Sequence, residues 1–236
     1  QEAEEAKARS ENLLFHILPR DIVSRINSGE KDVSFTVQSA SIIFTDVVKF
    51  SEYASSLSPQ EIMGSLSLLF AAFDSCAKNY NLITKIKLIG DIYMAAAGLF
   101  SADISPKDHA EQILNFGIDC LNELDDVNLK LNASLQLRIG INSGGPILAG
   151  VLGTDKPVFD IIGDPFNVAA RLQTTDGHGK IQIPKETHDL VCDGDFAIEE
   201  RGEVFLKGKG KTMAYLVSPQ HQNNVPFMAV SSQKLE

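Results

Sequence analysis

Between Thr84 and Gly98 the chain reads TKIKLIGDIYMAAAG, and no other stretch limits the possible folds as tightly. From Lys85 to Ile89 polar and apolar residues follow a period of two, which is the pattern of a half-buried strand. Gly90-Asp91 is a turn signal, and a second apolar run starts at Ile92, so the segment predicts a β-hairpin with an acidic tip. A Gly-Asp turn taken alone is ordinary turn chemistry. A second carboxylate, Asp46, directly follows another strongly apolar strand. Whether Asp46 and Asp91 share a site is the question that the rest of the sequence has to answer.

The chain has 236 residues, 44% hydrophobic and 22% charged, enough for one ample domain with appended ends or two small ones. It starts at Gln1 rather than Met, and the expectation is a piece of a longer protein. No apolar run approaches the ~18 residues of a membrane span, and no signal-peptide pattern opens the chain. The net charge is −10, without a Lys/Arg block dense enough to follow a nucleic-acid polymer. Cys76, Cys120 and Cys192 are odd in number and widely spaced, which suits a reducing compartment and argues against a zinc site or a disulfide scaffold. The expected setting is a cytoplasmic domain, with membrane anchorage of the parent protein left open.

In order, residues 1–28 read as a charged, then amphipathic helix interrupted at Pro19. Its charged half suits either the end of a coiled coil or an ordinary capping helix. Ser34 to Val48 is strand-like, with the continuous apolar run ending at Phe44. A helix is expected from Pro59 to Tyr80, with Ser58 as its cap. After the hairpin come a helix from Pro106 to Lys130, a strand at Leu135–Ile141, a glycine-rich turn at 142–146 and a strand at Ile147–Leu152. Val158–Ile162 is a further strand, followed by a helix that Pro165 opens. The remainder alternates short strands with one helix. The order β-α-β-β-α-β predicts an α/β (α+β) fold with a ferredoxin-like βαββαβ core and additional C-terminal α/β elements, preceded by an N-terminal helix. The expected boundaries are 1–33 for the N-terminal linker or signalling helix, 34–217 for the domain and 218–236 for a loose tail.

In such a sheet the first and third strands commonly lie side by side, so Asp46 and Asp91 can converge. Converging carboxylates suit Mg²⁺ or Mn²⁺, which prefer oxygen ligands and leave positions for water and phosphate. Phe44–Ser51 (FTDVVKFS), Lys85–Met94 (KIKLIGDIYM), Leu137–Gly144 (LRIGINSG), Phe159–Arg171 (FDIIGDPFNVAAR) and Lys207–Gly210 (KGKG) carry more than that. In type and order they resemble the motifs of class III nucleotidyl cyclase catalytic domains, over residues 34 to 217. Leu13–Pro19 (LLFHILP) also resembles the segment that joins such domains to upstream modules.

The resemblance implies cyclisation of a nucleoside triphosphate with release of pyrophosphate, using two Mg²⁺ or Mn²⁺ ions per active site. By position, Asp46, Asp91 and the backbone carbonyl of Val47 match the metal ligands, and the amides up to Phe50 and Ser51 match a phosphate cradle. Lys49 departs from the pattern, which usually has Gly there. Lys87 and Asp160 match the pair that selects the base. Adenine offers an acceptor at N1 and a donor at its 6-amino group, so one protein donor and one acceptor read adenine. Guanylyl members carry Glu and a Cys- or Ser-like residue there, and a mismatched buried polar site can discriminate on the order of 10⁴-fold. Asn167 and Arg171, four apart on one helical face, match the ribose-orienting and transition-state residues. Lys207 matches a triphosphate contact, with Lys209 as the alternative register. The Ser143–Pro146 turn carries one Gly more than the common form.

In the family, metals and base-selecting residues come from opposite chains of a head-to-tail dimer. Both sets occur here, so a homodimer with two shared sites is expected. Lys87 and Asp91 are up to ~13 Å apart if extended, which is compatible with service to different sites. The expected function is therefore adenylate cyclase acting on ATP, under an upstream sensor or membrane domain. The alternatives are a catalytically silent nucleotide-binding or dimerisation module and a guanylate cyclase. A cyclic-dinucleotide synthase on a similar core is disfavoured because its Gly-Gly-Asp/Glu-Glu-Phe-like signature is missing from the sequence.

Overall fold

The computed structural model describes residues 14–218, apart from positions 16, 102, 154 and 176. The expected helix before residue 14 and the tail after 218 lie outside the described residues. The elements are α1 (Arg20–Asn27), β1 (Ser34–Val37), β2 (Ala40–Val47), α2 (Phe50–Ala54), α3 (Pro59–Ala77), β3 (Ile83–Ile89) and β4 (Ile92–Ala97). They continue with α4 (Pro106–Leu131), β5 (Leu137–Gly144), β6 (Ile147–Leu152), β7 (Val158–Ile162) and α5 (Asp164–Gln173). The last are β8 (Ile181–Pro184), α6 (Lys185–Val191), β9 (Ala197–Leu206) and β10 (Gly210–Ser218).

Every residue of β2 is buried, because both faces of this strand are covered. Ile43 and Val47 pack with Tyr93, Phe73 and Phe116 beneath α3 and α4. Ile42 and Phe44 pack on the other face with Met94, Phe159 and Ile161. The larger sheet has the order β3-β4-β2-β5-β8-β10-β9. Its first four strands are arranged as in the ferredoxin-like unit, so the expected α/β core is present. A second sheet, β1-β6-β7, covers the β2 face opposite the long helices. No helix among the described residues is long and apolar enough to cross a membrane.

Several boundaries differ from expectation. The run from Ser34 to Val48 is two strands, since β1 pairs with β6 while β2 pairs with β4 and β5. The break at Gln38-Ser39 lies against Gly145, where a Cβ would sit 1.9 Å from the Gln38 carbonyl oxygen. A glycine at 145 is therefore what lets the chain pass there. β5 itself continues through Asn142 and Ser143 to Gly144, beyond the expected end at Ile141. Helix α3 begins as expected: the Ser58 hydroxyl accepts from the Glu61 amide, and the Glu61 carboxylate accepts from the Ser58 amide.

One buried polar chain ties these layers together. His109 Nδ1 lies 2.8 Å from Ser41 Oγ, and His109 Nε2 lies 3.2 Å from Ser39 Oγ. Ser41 Oγ contacts Ser143 Oγ at 2.5 Å, and the Ser143 amide donates to Thr187 Oγ1 at 2.8 Å. The chain thus crosses α4, β2, β5 and α6. Gly98 is needed beside it, because a Cβ there would lie 3.0 Å from the His109 ring. Burial lowers the His109 pKa to about 4, against a smaller opposing effect of the Asp108 carboxylate.

The unfolded chain protonates this histidine near pH 6.5, well before the folded chain does. Stability should therefore be complete above about pH 6.5 and fall by up to about 3 kcal/mol as the pH approaches 4. Urea unfolding at stepped pH measures this, and His109→Gln should flatten that limb. An equally steep limb in the variant would assign the loss to other groups.

Candidate active site

The β2–β4 register puts Asp46 opposite Ile92, next to the Gly90-Asp91 turn. Gly90 takes the left-handed conformation (φ +63°) that this tight turn requires. The two carboxylates of the sequence reading are therefore neighbours. Asp46 is only 7% exposed, at the buried end of β2. It accepts hydrogen bonds from Arg138 Nε at 3.0 Å and Gln173 Nε2 at 2.9 Å, and a terminal Arg138 nitrogen also donates to it. Burial raises the Asp91 carboxyl above its usual range, and the Asp46 charge adds to this while Arg138 opposes it. Val47, also buried, completes the strand next to Asp46.

No group of three or more His, Cys, Asp or Glu side chains able to hold a metal occurs among the described residues. The donor set is thus two carboxylates with a backbone carbonyl nearby. That set fits a hard divalent ion that keeps water and phosphate oxygens in its remaining positions. A cation between Asp46 and Asp91 would also offset the burial and the smaller Asp46 repulsion that raise Asp91.

The chain leaves β2 through Val48, whose amide donates to the Gln136 carbonyl at 2.8 Å. Lys49 then opens α2 from the left-handed region, with φ 54° and ψ 33°. This explains physically why the resembled pattern has Gly there: a side chain in this conformation costs about 1–2 kcal/mol. The Lys49 ammonium lies 3.5 Å from Glu52, and both side chains are exposed. Phe50 is half-buried against the Tyr53 ring, and Ser51 is exposed.

Lys87 and Asp160 meet across the two sheets. Lys87 Nζ lies 2.6 Å from Asp160 Oδ2, with side chains 28% and 20% exposed. The Asp160 Oδ1 atom accepts the Ile161 amide at 2.9 Å, and the Lys87 ammonium sits 5.9 Å from the Phe166 ring centre. The simple alternation read for this strand is wrong in one respect. β3 carries an irregularity between Lys85 and Lys87, so Lys85 pairs with Ala95 and Lys87 with Met94. Ala95 faces the long helices and Met94 the opposite core. Two lysines two residues apart therefore point to opposite faces, Lys85 to Asp74 of α3 and Lys87 to Asp160 of β7.

Asn167 and Arg171 share one face of α5, as expected. Asn167 is exposed, and its amide donates to the Gly163 carbonyl at 3.3 Å. The Arg171 guanidinium lies beside the β9–β10 turn, 3.6 Å from where a Gly208 Cβ would be. In the same turn Lys207 is exposed, while Lys209 is ion-paired with Asp164.

Within one chain these residues form two groups. Asp46, Val47, Asp91 and the start of α2 form the first. The second is linked by contacts: Lys87 pairs with Asp160 and lies near Phe166 of α5, and that helix carries Asn167 and also Arg171, which lies beside the turn of Lys207. Asp46 touches α5 through Gln173, which is about 200° around the helix from Arg171. Neither spacing nor composition assigns a role to Arg138 or Gln173. Arg138 lies in a quoted motif directly opposite Asp46, a cross-strand partnership that only the register reveals.

Residues 33–219 match the family described as Adenylate and Guanylate cyclase catalytic domain. An adenylate cyclase of Mycobacterium tuberculosis is 36% identical over 204 residues, covering 86% of this chain and 44% of that protein. The soluble guanylate cyclase subunit beta-2 of Rattus norvegicus is 29% identical over 212 residues, covering 89% of this chain and 30% of that protein. The chain thus spans less than half the length of these curated relatives. Among solved structures, the guanylate cyclase domain of RhGC from Catenaria anguillulae, in complex with GTP, superimposes with a TM-score of 0.70 at 30% identity. That superposition covers 78% of this chain and 98% of the other.

The strain at Lys49 can be measured. Lys49→Gly should leave stability unchanged or raise it by up to about 1 kcal/mol, the relief being partly offset by the freer unfolded chain. Lys49→Ala keeps the Cβ and should give no such gain. A glycine variant less stable than the alanine variant in urea unfolding would disprove the strain.

Proposed function

The chain belongs to the adenylate and guanylate cyclase catalytic-domain family, and from that premise we propose that it converts ATP to 3′,5′-cyclic AMP and pyrophosphate as a homodimer. The observation that carries the choice of ATP is the Lys87–Asp160 pair, a donor and an acceptor 2.6 Å apart. Lys87 donates to adenine N1, and Asp160 accepts from the 6-amino group. Guanine presents the reverse pattern and would leave both groups unpaired. Relatives of both specificities match the chain, so the base assignment rests on these side chains.

In the proposed reaction the ribose 3′-oxygen forms a bond to the α-phosphorus as the bond to the β-phosphate breaks. Pyrophosphate leaves, and the hydroxyl proton passes to solvent. Asp46, Asp91 and the Val47 carbonyl hold divalent ions, Mg²⁺ or Mn²⁺. The chemistry these supply when bound is acidification of the 3′-hydroxyl and charge neutralisation on the phosphates. Asn167 orients the ribose, and Arg171 donates to the charge that develops on the α-phosphate. Lys207 meets the triphosphate, and the amides of Phe50 and Ser51 receive phosphate oxygens.

Two observations support the homodimer. Gln173, which holds Asp46, and Arg171 project from α5 about 200° apart, which favours a site shared between two chains. The face of β6 and β7 that carries Asp160 also exposes Leu148, Leu152, Val158 and Ile162, and the hairpin adds Leu88 and Ile89. Apolar surface of this kind, continuous with a binding group, marks an interaction face. A second copy would cover it and bring its own Asp46 and Asp91 to the base-selecting residues. In the parent protein, α1 would then receive the signal of an upstream sensor or membrane domain. Lys49 favours one other reading, a module that binds nucleotide without turnover.

Purified protein with Mn²⁺ should make cyclic AMP from ATP in clear preference to cyclic GMP from GTP, and the reverse preference would overturn the base assignment. Lys87→Glu with Asp160→Cys should lower kcat/KM for ATP by about 100-fold or more and favour GTP. Asp46→Ala and Arg171→Ala should each be inactive. Mixed one to one, they should recover about a quarter of wild-type activity, since half the dimers carry one intact site. Proven heterodimers without recovery would argue against shared sites, and metal-dependent nucleotide binding without product would select the silent module.

A further inference from the structure

The Asp46 carboxylate is held from one side. Arg138 Nε, the terminal Arg138 nitrogen and Gln173 Nε2 all donate to Oδ2. Among the described residues no hydrogen bond goes to Oδ1. Gln173 is 3% exposed, so its amide has little water to turn to, and breaking its bond to Asp46 leaves a buried donor unpaired. Its χ angles are confined by the same burial.

The reach of Gln173 depends on a glycine. In β5, Gly140 lies opposite Phe44, two residues from the Arg138–Asp46 pair. A Cβ on Gly140 would come within 2.4 Å of the Ala169 carbonyl oxygen and the Gln173 amide nitrogen. The last turn of α5 therefore rests directly on the β5 backbone. From there the Gln173 side chain spans to β2. Leu172, fully buried beside it, fixes the rotation of the helix. This contact joins three elements, α5, β5 and β2, at the acidic end of β2.

We propose that Gln173 is a positioning residue for the metal-binding carboxylate: it fixes Oδ2 of Asp46 so that Oδ1 is presented to the divalent ion. The inference rests on the metal role proposed for Asp46. It also gives α5 two duties. One face carries Asn167 and Arg171 to one substrate, and the other face orients the carboxylate that serves the second site. Groups that orient a metal ligand commonly change metal affinity by about 10- to 100-fold when removed.

The test uses the whole chain, with Mn²⁺ as probe and 3′-deoxy-ATP, which lacks the attacking hydroxyl, at a fixed concentration. Thermal stabilisation is followed as Mn²⁺ is titrated. Gln173→Met keeps the volume and removes the donor, and it should move the Mn²⁺ midpoint up by about 10-fold or more. The ATP-over-GTP preference at saturating Mn²⁺ should stay that of wild type. Where Gln173→Met does not fold, Gln173→Asn withdraws the donor by one methylene and should shift the midpoint in the same direction. A purely structural role predicts a lower melting temperature with an unchanged Mn²⁺ midpoint, and that result overturns the proposal. Asp46→Asn separates the two levels. If it titrates like wild type, the metal role of Asp46 falls and this inference with it. If it loses the Mn²⁺ response while the Gln173 variants keep theirs, only the inference falls.

Discussion

The register between β2 and β4 decides where this molecule can do chemistry. Asp46 stands opposite Ile92, so the turn residue Asp91 comes to the end of β2 rather than pointing away from it. A slip of one residue would turn Asp46 into the apolar layer beneath α3 and α4 and Ile43 out of it. That slip is blocked from both sides, because β2 is buried throughout and its two faces pack in separate cores. Hydrophobic burial, not the carboxylates, holds the carboxylates together. The repulsion at Asp91 is tolerated because packing elsewhere over-determines the strand pair.

The same principle orders the second group of residues. Lys87 and Asp160 are 73 positions apart in the chain and sit in different sheets, yet they form an ion pair. The irregularity in β3 is what makes this possible, since it adds one residue between Lys85 and Lys87 and so sends them to opposite faces. One lysine then secures α3 through Asp74, which also accepts from the Tyr93 hydroxyl at 2.9 Å. The other joins the second sheet through Asp160. A single hairpin thereby carries two lysines that serve opposite faces of the sheet and a carboxylate at its turn.

Much of this was legible in the residues. The period of the hairpin, the apolar run to Phe44 and the Pro165 helix start predicted elements that are present. The ferredoxin-like order followed from the succession of strands and helices. Pattern reasoning failed where a local rule was broken for a tertiary reason. The alternation at Lys85–Lys87 hid the added residue, because a bulge leaves no mark in polarity. The run from Ser34 to Val48 concealed a change of sheet, and its cause, the close approach to Gly145, lies more than a hundred residues away. Arg138 and Gln173 escaped notice for the same reason: each has its meaning only through Asp46, and neither spacing nor composition names that partner.

Gly140 in β5 and Lys49 at the start of α2 show how such exceptions are sustained. Gly140 is indispensable because backbone lies where its Cβ would be, and no movement of a flexible side chain could make room. Lys49 has the opposite status: its left-handed conformation is strained, but its side chain reaches solvent and Glu52 without a clash. The cost is local and of the order of 1 kcal/mol, small against the burial that fixes β2 on one side of the loop. A strained residue can thus persist in this loop, whereas a Cβ at Gly140 would displace α5 and with it both faces that the helix presents. The two positions mark which parts of the site the fold can let vary and which it cannot.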